Sequence, residues 1–112
     1  RGDARAFAAD ALAREAASYA LEQGYDWSMR PVERQFLYLP FEHSESLADQ
    51  ERCLALMKEL AVFPETADLP KWAEAHLAII RRFGRFPHRN AALGRASTPE
   101  EIEFLKQPGS GF

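Results

Sequence analysis

Prolines and glycines divide this sequence into short segments, and inside each segment the apolar residues recur at helical spacing. The clearest segment, Asp3 to Gln23, is rich in Ala and contains neither Gly nor Pro, and Gly24 follows it as a helix C-cap. No alternating run rich in Val, Ile and Thr is present, so no strand is expected. We therefore predict an all-α fold of four or five helices packed as antiparallel hairpins.

Proline and serine residues set the predicted bounds of the next two helices. Pro31 suits the first turn of a short helix, which we expect to end at Pro40 because proline removes a backbone donor. A second long helix follows, with Ser44 or Ser46 as its N-cap. Its apolar residues recur to about Phe63.

Pro70 opens a further long helix that Gly84 closes. Thr98 and Glu101 have the spacing of a capping box, which predicts the start of a terminal helix. The large apolar residues on the helical stripes form the predicted core, namely Leu12, Tyr19, Phe36, Leu39, Leu54, Met57, Trp72, Ile79, Ile80, Phe83 and Phe104.

Length and composition bound the function. The chain has 112 residues, and we predict one domain over residues 1–112. A net charge of -3 and a pI near 5.6 argue against nucleic-acid binding by the surface as a whole. The apolar runs are too short for a membrane span, so no membrane partner is expected. The only cysteine, Cys53, cannot form an internal disulfide, which favours a cytoplasmic location and a buried, inert thiol.

The candidate functional region is a basic segment, residues 79–95, which holds five arginines and His88 but no carboxylate. Its acidic counterpart is the FEHSE motif, residues 41–45. Adjacent antiparallel helices bring such loops together, so we expect FEHSE to meet the FGRFPHRN motif, residues 83–90, through an arginine–carboxylate pair. We expect at least one of Arg82, Arg85 and Arg89 to reach Glu42 or Glu45. The predicted site residues are Glu42, His43, Glu45, Arg82, Arg85, His88, Arg89 and Asn90.

Three stretches resemble an uncharacterised bacterial family, domain of unknown function 924 (DUF924). They are FAAD at residues 7–10, FLYLPFEHSE at residues 36–45, and RFGRFPHRN at residues 82–90 followed by LGR at residues 93–95. The resemblance runs nearly end to end and implies a tetratricopeptide-like helical fold without a known activity. It also implies further helices before the first residue of this chain, which is then the C-terminal portion of the family's fold.

The two motifs admit several interpretations. The first is a structural ion-pair network. The second is a pocket for a small anion or a peptide carboxylate, because arginine clusters suit such ligands. The third is a small hydrolase-like enzyme in which His43 or His88 works with Glu42 or Glu45.

No cofactor is expected, because the sequence contains no glycine-rich phosphate loop and no pair of closely spaced cysteines. No metal site is predicted either, since His43, His76 and His88 lack tight ligand spacing, and His76 reads as a hydrogen-bonded core residue. The small-residue face of the first helix favours self-association, so a homodimer is a further expectation.

Overall fold

Five α-helices and no strand make up the part of the chain that the structure, a computed structural model, describes: residues 4–108 and 110, with side chains from residue 9 onward. The helices are α1 (Ala4–Glu22), α2 (Pro31–Glu42), α3 (Leu47–Leu60), α4 (Leu69–Phe83) and α5 (Pro99–Leu105). The all-α prediction is confirmed. Asp3, the predicted first residue of α1, lies outside the described residues, and the tetratricopeptide likeness and the single domain stay predictions.

Helix ends follow the predicted caps. Ser46 begins α3, and its Oγ accepts a hydrogen bond from the backbone N–H of Asp49 at 3.4 Å. Gly84 ends α4 in the left-handed conformation, φ 74°, and its N–H donates to the carbonyl of Ile80 at 2.8 Å. The capping box of α5 is also present, since Thr98 N–H donates to Glu101 Oε1 at 2.8 Å and Glu101 N–H donates to Thr98 Oγ1 at 3.1 Å.

Pro40 does not end α2, and the prediction that it would is wrong. The helix continues to Glu42, and the N–H of His43 donates to the carbonyl of Leu39 at 3.1 Å. Pro40 lies in the last turn, where it removes a single backbone donor. Beyond it, the side-chain amide of Gln50 binds the carbonyl of Glu42 at 2.6 Å and that of Ser44 at 2.7 Å. These bonds satisfy carbonyls at the helix end that no helical N–H can reach.

Helix α3 is the centre of the packing, because it contacts both α2 and α4, whereas α1 packs mainly on α2. A smaller apolar cluster joins the end of α4 to the loop that follows it through Ile79, Ile80 and Phe86, with Phe104 of α5 packed against it. The larger cluster is built from Ala17, Tyr38, Phe41, Cys53, Met57, Leu60 and Ala73. Among the described residues, no helix is both long enough and apolar enough to cross a bilayer.

The predicted core is partly wrong. Met57, Ile79 and Ile80 are buried as expected. Leu39, Leu54, Phe83 and Phe104 are only half-buried, where they pack against the edges of the two clusters. Four large apolar side chains assigned to the core are instead exposed, namely Leu12, Tyr19, Phe36 and Trp72.

Helix α2 shows the reason for the error at Phe36. Its stripe Val32, Phe36 and Leu39 is the more apolar, yet the buried side is the one that carries Arg34 and Tyr38. Tyr38 is fully buried because its hydroxyl has polar partners there: it donates to Asp26 Oδ2 at 2.6 Å and accepts from Arg34 Nε at 3.0 Å. Tyr38 therefore occupies the core position with its hydroxyl hydrogen-bonded, and Phe36 remains on the exposed side of the helix.

Candidate functional site

The FEHSE and FGRFPHRN motifs contact each other, as the sequence predicts. The backbone N–H of Phe86 donates to Glu45 Oε2 at 2.6 Å, and Nη2 of Arg89 donates to the carbonyl of His43 at 2.7 Å. Phe86 is buried against the end of α4, which fixes the basic segment beside the turn that follows α2. The contact is therefore held by an apolar anchor as well as by polar bonds.

The guanidinium that clamps Glu45 belongs to Arg95, a residue of the basic segment that the predicted site left out. Arg95 Nη1 lies 2.8 Å from Oε1, and Nη2 lies 2.9 Å from Oε2. Burial raises the pKa of Glu45, but the hydrogen bonds from Arg95 and Phe86 and the charges of Arg95 and Arg89 outweigh it, so the net shift is downward. The charged form of the Glu45 carboxylate is thus stabilised.

Arg85 and Asn90 are directed toward α5. Arg85 binds Glu101 through Nε to Oε2 at 2.9 Å and Nη2 to Oε1 at 2.7 Å. Asn90 is buried, accepts from Nε of Arg95 at 3.0 Å and donates to Ser97 Oγ at 3.0 Å. The bond from Arg85 lowers the pKa of Glu101 to about 2, against the opposing effect of burial and with help from the N–H of Thr98. These contacts pin the loop between α4 and α5.

Arg82, His88 and Arg89 lie against aromatic rings. The guanidinium of Arg82 stacks 4.5 Å above the ring centroid of Phe83 and 5.7 Å from that of Phe104, and its side chain is exposed. Around Phe86, the guanidinium of Arg89 lies 4.7 Å from the ring centroid, and the ring centroid of half-buried His88 lies at 5.7 Å. The predicted site is therefore divided between the FEHSE side and the α5 side.

Glu42, His43 and His76 form a compact cluster in which one ligating atom from each residue lies within 4.8 Å of the others. Glu42 and His76 are buried and His43 is half-buried. Oε2 of Glu42 is 4.0 Å from Nδ1 of His76, and no hydrogen bond reaches the Glu42 carboxylate from the described residues. Burial raises the pKa of Glu42 to about 7.

His76 takes the core position that the sequence predicts, and its Nδ1 lies 2.8 Å from the carbonyl of Trp72. Burial lowers the pKa of His76, the bond to Trp72 opposes that shift, and the charge of Arg89 adds to it. The neutral imidazole is therefore favoured, with its proton on Nδ1. Its place beside Glu42 was not predicted, because the two residues belong to different helices.

The predicted site omits three residues that hold the two motifs and α5 together, and two of the three could have been found from the sequence. Arg95 is part of the basic segment, and Glu101 was recognised only as a capping residue although it also binds Arg85. Gln50, which holds the end of α2 through backbone carbonyls, left none, since it looks like any polar residue in the first turn of a helix.

Fold and site together define an all-helical protein whose FEHSE and FGRFPHRN motifs contact each other through polar bonds. The chain matches, over residues 1–109, the family described as "Bacterial protein of unknown function (DUF924)". It belongs to that family, as its motifs predicted.

A solved structure with a similar fold is that of the protein of unknown function ATU0120 from Agrobacterium tumefaciens, with 42% sequence identity and a TM-score of 0.84. The alignment covers 95% of this chain and 57% of ATU0120, so the chain spans little more than half the length of that relative. The comparison with curated proteins gives no match.

Proposed function

We propose that this chain is a helical ligand-binding domain and that its two motifs, together with Arg82 directly before FGRFPHRN, form a site for a small anionic ligand, including the carboxylate end of a peptide. Arg82 carries the proposal. Its guanidinium is held over two rings, is exposed, and forms no ion pair within the described part of the chain. Stacking fixes the plane of a guanidinium and leaves its N–H edge available for bidentate binding of a carboxylate or phosphate.

The neighbouring arginines provide the setting. Arg85 and Arg95 are neutralised by Glu101 and Glu45, and Arg81 lies 3.8 Å from Glu51. An incoming anion therefore meets Arg82 on a surface whose other charges already lie close to partners. Because the Arg82 side chain is already held over the two rings, it loses less conformational entropy when an anion binds.

The test is calorimetric titration of the chain with inorganic phosphate and with one short peptide, made with a free and with an amidated C-terminus. We expect Arg82→Gln to weaken binding about ten- to a hundredfold, the value of a lost hydrogen bond to a charged group. Arg81→Gln is the matched control, because it removes the same charge one residue away, and it should change affinity less than about twofold. Equal effects of the two substitutions, or no binding of any of these probes, would contradict the proposal.

A second candidate is a small hydrolase-like enzyme that uses His43 or His88 with Glu42 or Glu45. The geometry favours Glu42, whose carboxylate lies 4.0 Å from the imidazole of His76, over Glu45, whose oxygens are occupied by Arg95 and Phe86. Turnover of generic esters or phosphate esters that Glu42→Gln abolishes would support this candidate, and absence of turnover by the wild-type chain would count against it.

We also propose that the chain self-associates through an exposed apolar strip that consists of Leu12, Tyr19 and Tyr25. Leu12 and Tyr19 are 69% and 57% exposed and lie seven residues apart in α1, on one side of the helix. Tyr25 packs edge-on against Tyr19 with ring centroids 6.3 Å apart, which extends the strip. A second copy of the chain would remove this surface from water.

A cytoplasmic location is part of the proposal. It is supported by Cys53, the only cysteine of the chain, which is buried as a free thiol. A buried thiol that has no disulfide partner in its own chain fits a reducing compartment.

A further inference from the structure

We propose that Glu42, His43 and His76 bind a divalent first-row transition-metal ion of the zinc and cobalt class. Two imidazoles and one carboxylate are the donor set that such ions accept, and three protein ligands leave one position open for water or a small ligand. This inference stands apart from the anion proposal, because it does not depend on Arg82, the residue that carries that proposal.

Distance is the first argument. The ligating atoms lie within 4.8 Å of one another, whereas tetrahedral ligands at about 2.1 Å from an ion are separated by about 3.4 Å. Binding therefore requires the side chains to close by up to about 1.4 Å. Side-chain rotations must also turn Nε2 of His76 toward the ion, since Nδ1, which lies 4.0 Å from Glu42, is bonded to the carbonyl of Trp72. Because His43 is half-buried, the cluster has a side from which an ion can enter.

Support of the ligands is the second argument. Gln50 holds the carbonyl of Glu42, and Arg89 holds the carbonyl of His43, so the backbone that carries two of the three ligands is fixed. Nδ1 of His76 is bound to the carbonyl of Trp72, which leaves the lone pair on Nε2. A backbone carbonyl that fixes one ring nitrogen is the usual way in which a metal-binding histidine is oriented.

Charge is the third argument. Within the described residues, the Glu42 carboxylate is buried and accepts no hydrogen bond. Such a group is costly to bury in its charged form, and a bound cation would offset that cost. The charge of Arg89 reaches His76 and opposes the binding of any cation. Ions that bind imidazole strongly should therefore be preferred over Mg²⁺ and Ca²⁺, which bind it weakly.

The experiment uses the full chain, treated with a chelator and then titrated with ZnCl₂ by calorimetry and with CoCl₂ by visible absorption. We expect one ion per chain and a Co²⁺ ligand-field band of the intensity typical of four or five ligands. Glu42→Gln, His43→Ala and His76→Gln should each weaken binding at least about tenfold, the lower end of the loss seen when even an outer-shell partner of a metal ligand is removed.

His88→Gln is the matched control, since it removes the third histidine without touching the cluster, and Cys53→Ser tests whether the thiol contributes. Both should keep the wild-type affinity within about twofold, because neither residue belongs to the cluster. Circular dichroism in chelator identifies any variant that does not fold, and His43→Ala is the least disruptive of the three because His43 is half-buried whereas Glu42 and His76 are buried. Lack of 1:1 binding by the wild-type chain, or equal loss in His88→Gln, would overturn the proposal.

Discussion

Arg95 binds Glu45 through two parallel hydrogen bonds, 2.8 Å from Nη1 to Oε1 and 2.9 Å from Nη2 to Oε2, between residues 50 positions apart. The same carboxylate also accepts the N–H of Phe86. One side chain of the FEHSE motif thus holds the basic segment at two points. Because both side chains of the pair are about three-quarters buried, the pair is shielded from solvent far better than a surface ion pair.

Breaking this pair should destabilise the fold through the charge left behind. We expect Glu45→Gln or Arg95→Gln to lower the free energy of unfolding by about 1–3 kcal/mol each, the cost of an unsatisfied polar group. The double variant should lose less than the sum of the two, with a coupling energy of about 1.5–3 kcal/mol from chemical denaturation.

The pair Arg81 and Glu51 provides the control, because its N–O distance is 3.8 Å and its side chains are 59% and 57% exposed. Its coupling energy should stay below about 1 kcal/mol. Similar coupling energies for the two pairs would show that Arg95 and Glu45 act as an ordinary surface contact.

Acid stability should depend on Glu101. Its pKa is lowered to about 2 in the folded chain, from an ordinary value of 4.5, chiefly by the bond from Arg85. Because the folded pKa is depressed, this stabilisation is fully present above pH 4.5 and is lost as the pH falls through about 2. The difference in unfolding free energy between the wild type and Glu101→Gln should therefore shrink across that window.

Glu103→Gln is the control for this measurement, since Glu103 lies on the same helix with its side chain 73% exposed. Because this position is on the surface, the substitution should change the unfolding free energy by about 0.5 kcal/mol or less. A Glu101 effect that does not change with pH would mean that the carboxylate charge contributes nothing to stability.

The sequence predicts local structure better than the choice of partners. The capping box at Thr98, the N-cap at Ser46 and the C-cap at Gly84 are properties of a few adjacent residues, so the sequence contains all that decides them. Pro40 was misjudged because Gln50, ten positions later, satisfies the carbonyls at the end of that helix. A tertiary contact there outweighs a local rule.

The site was predicted as a meeting of two motifs but not in its pairing. Their opposite charges indicate that FEHSE and the basic segment attract each other. Any of the five arginines in the segment could form the ion pair, so charge alone does not identify which one does. Arg95 is the arginine that reaches Glu45 in the structure, in which Phe86 is buried beside the pair and Asn90 accepts a hydrogen bond from Arg95. The cluster with His76 was hidden for the same reason, because Glu42 and His76 become neighbours only when α2, α3 and α4 pack together.

The corrected core yields a paired prediction on Ile80 and Phe36. Ile80 is 3% exposed and Phe36 is 65% exposed. Ile80→Ala should lower the free energy of unfolding by about 2–5 kcal/mol through lost burial and an unfilled cavity. Phe36→Ala, which removes a larger side chain, should change it by about 0.5 kcal/mol or less. Denaturant midpoints measure both, and a larger loss from Phe36→Ala would reverse our assignment of the buried side of α2.

Cys53 should react with thiol reagents only when the chain unfolds. The residue is fully buried, and burial together with the charge of Glu42 raises its pKa to about 12. The thiolate is the reactive form, so native labelling should be slow and should speed up in denaturant in step with unfolding. Rapid labelling of the native chain, with circular dichroism unchanged, would place Cys53 at an accessible surface.

Self-association should depend on the exposed strip of α1. Light scattering at rising concentration should give an average mass above the monomer's 12.7 kDa, because association removes the apolar surface of Leu12 and Tyr19 from water. Tyr19→Asp should return the mass to that of the monomer, since a charge buried in the contact would lack a partner.

Val62→Asp is the matched control, as Val62 is 77% exposed in the loop after α3 and should leave association unchanged. A monomeric mass at every concentration would refute the second-copy proposal, and loss of association in both variants would show that added negative charge, rather than the strip, controls it.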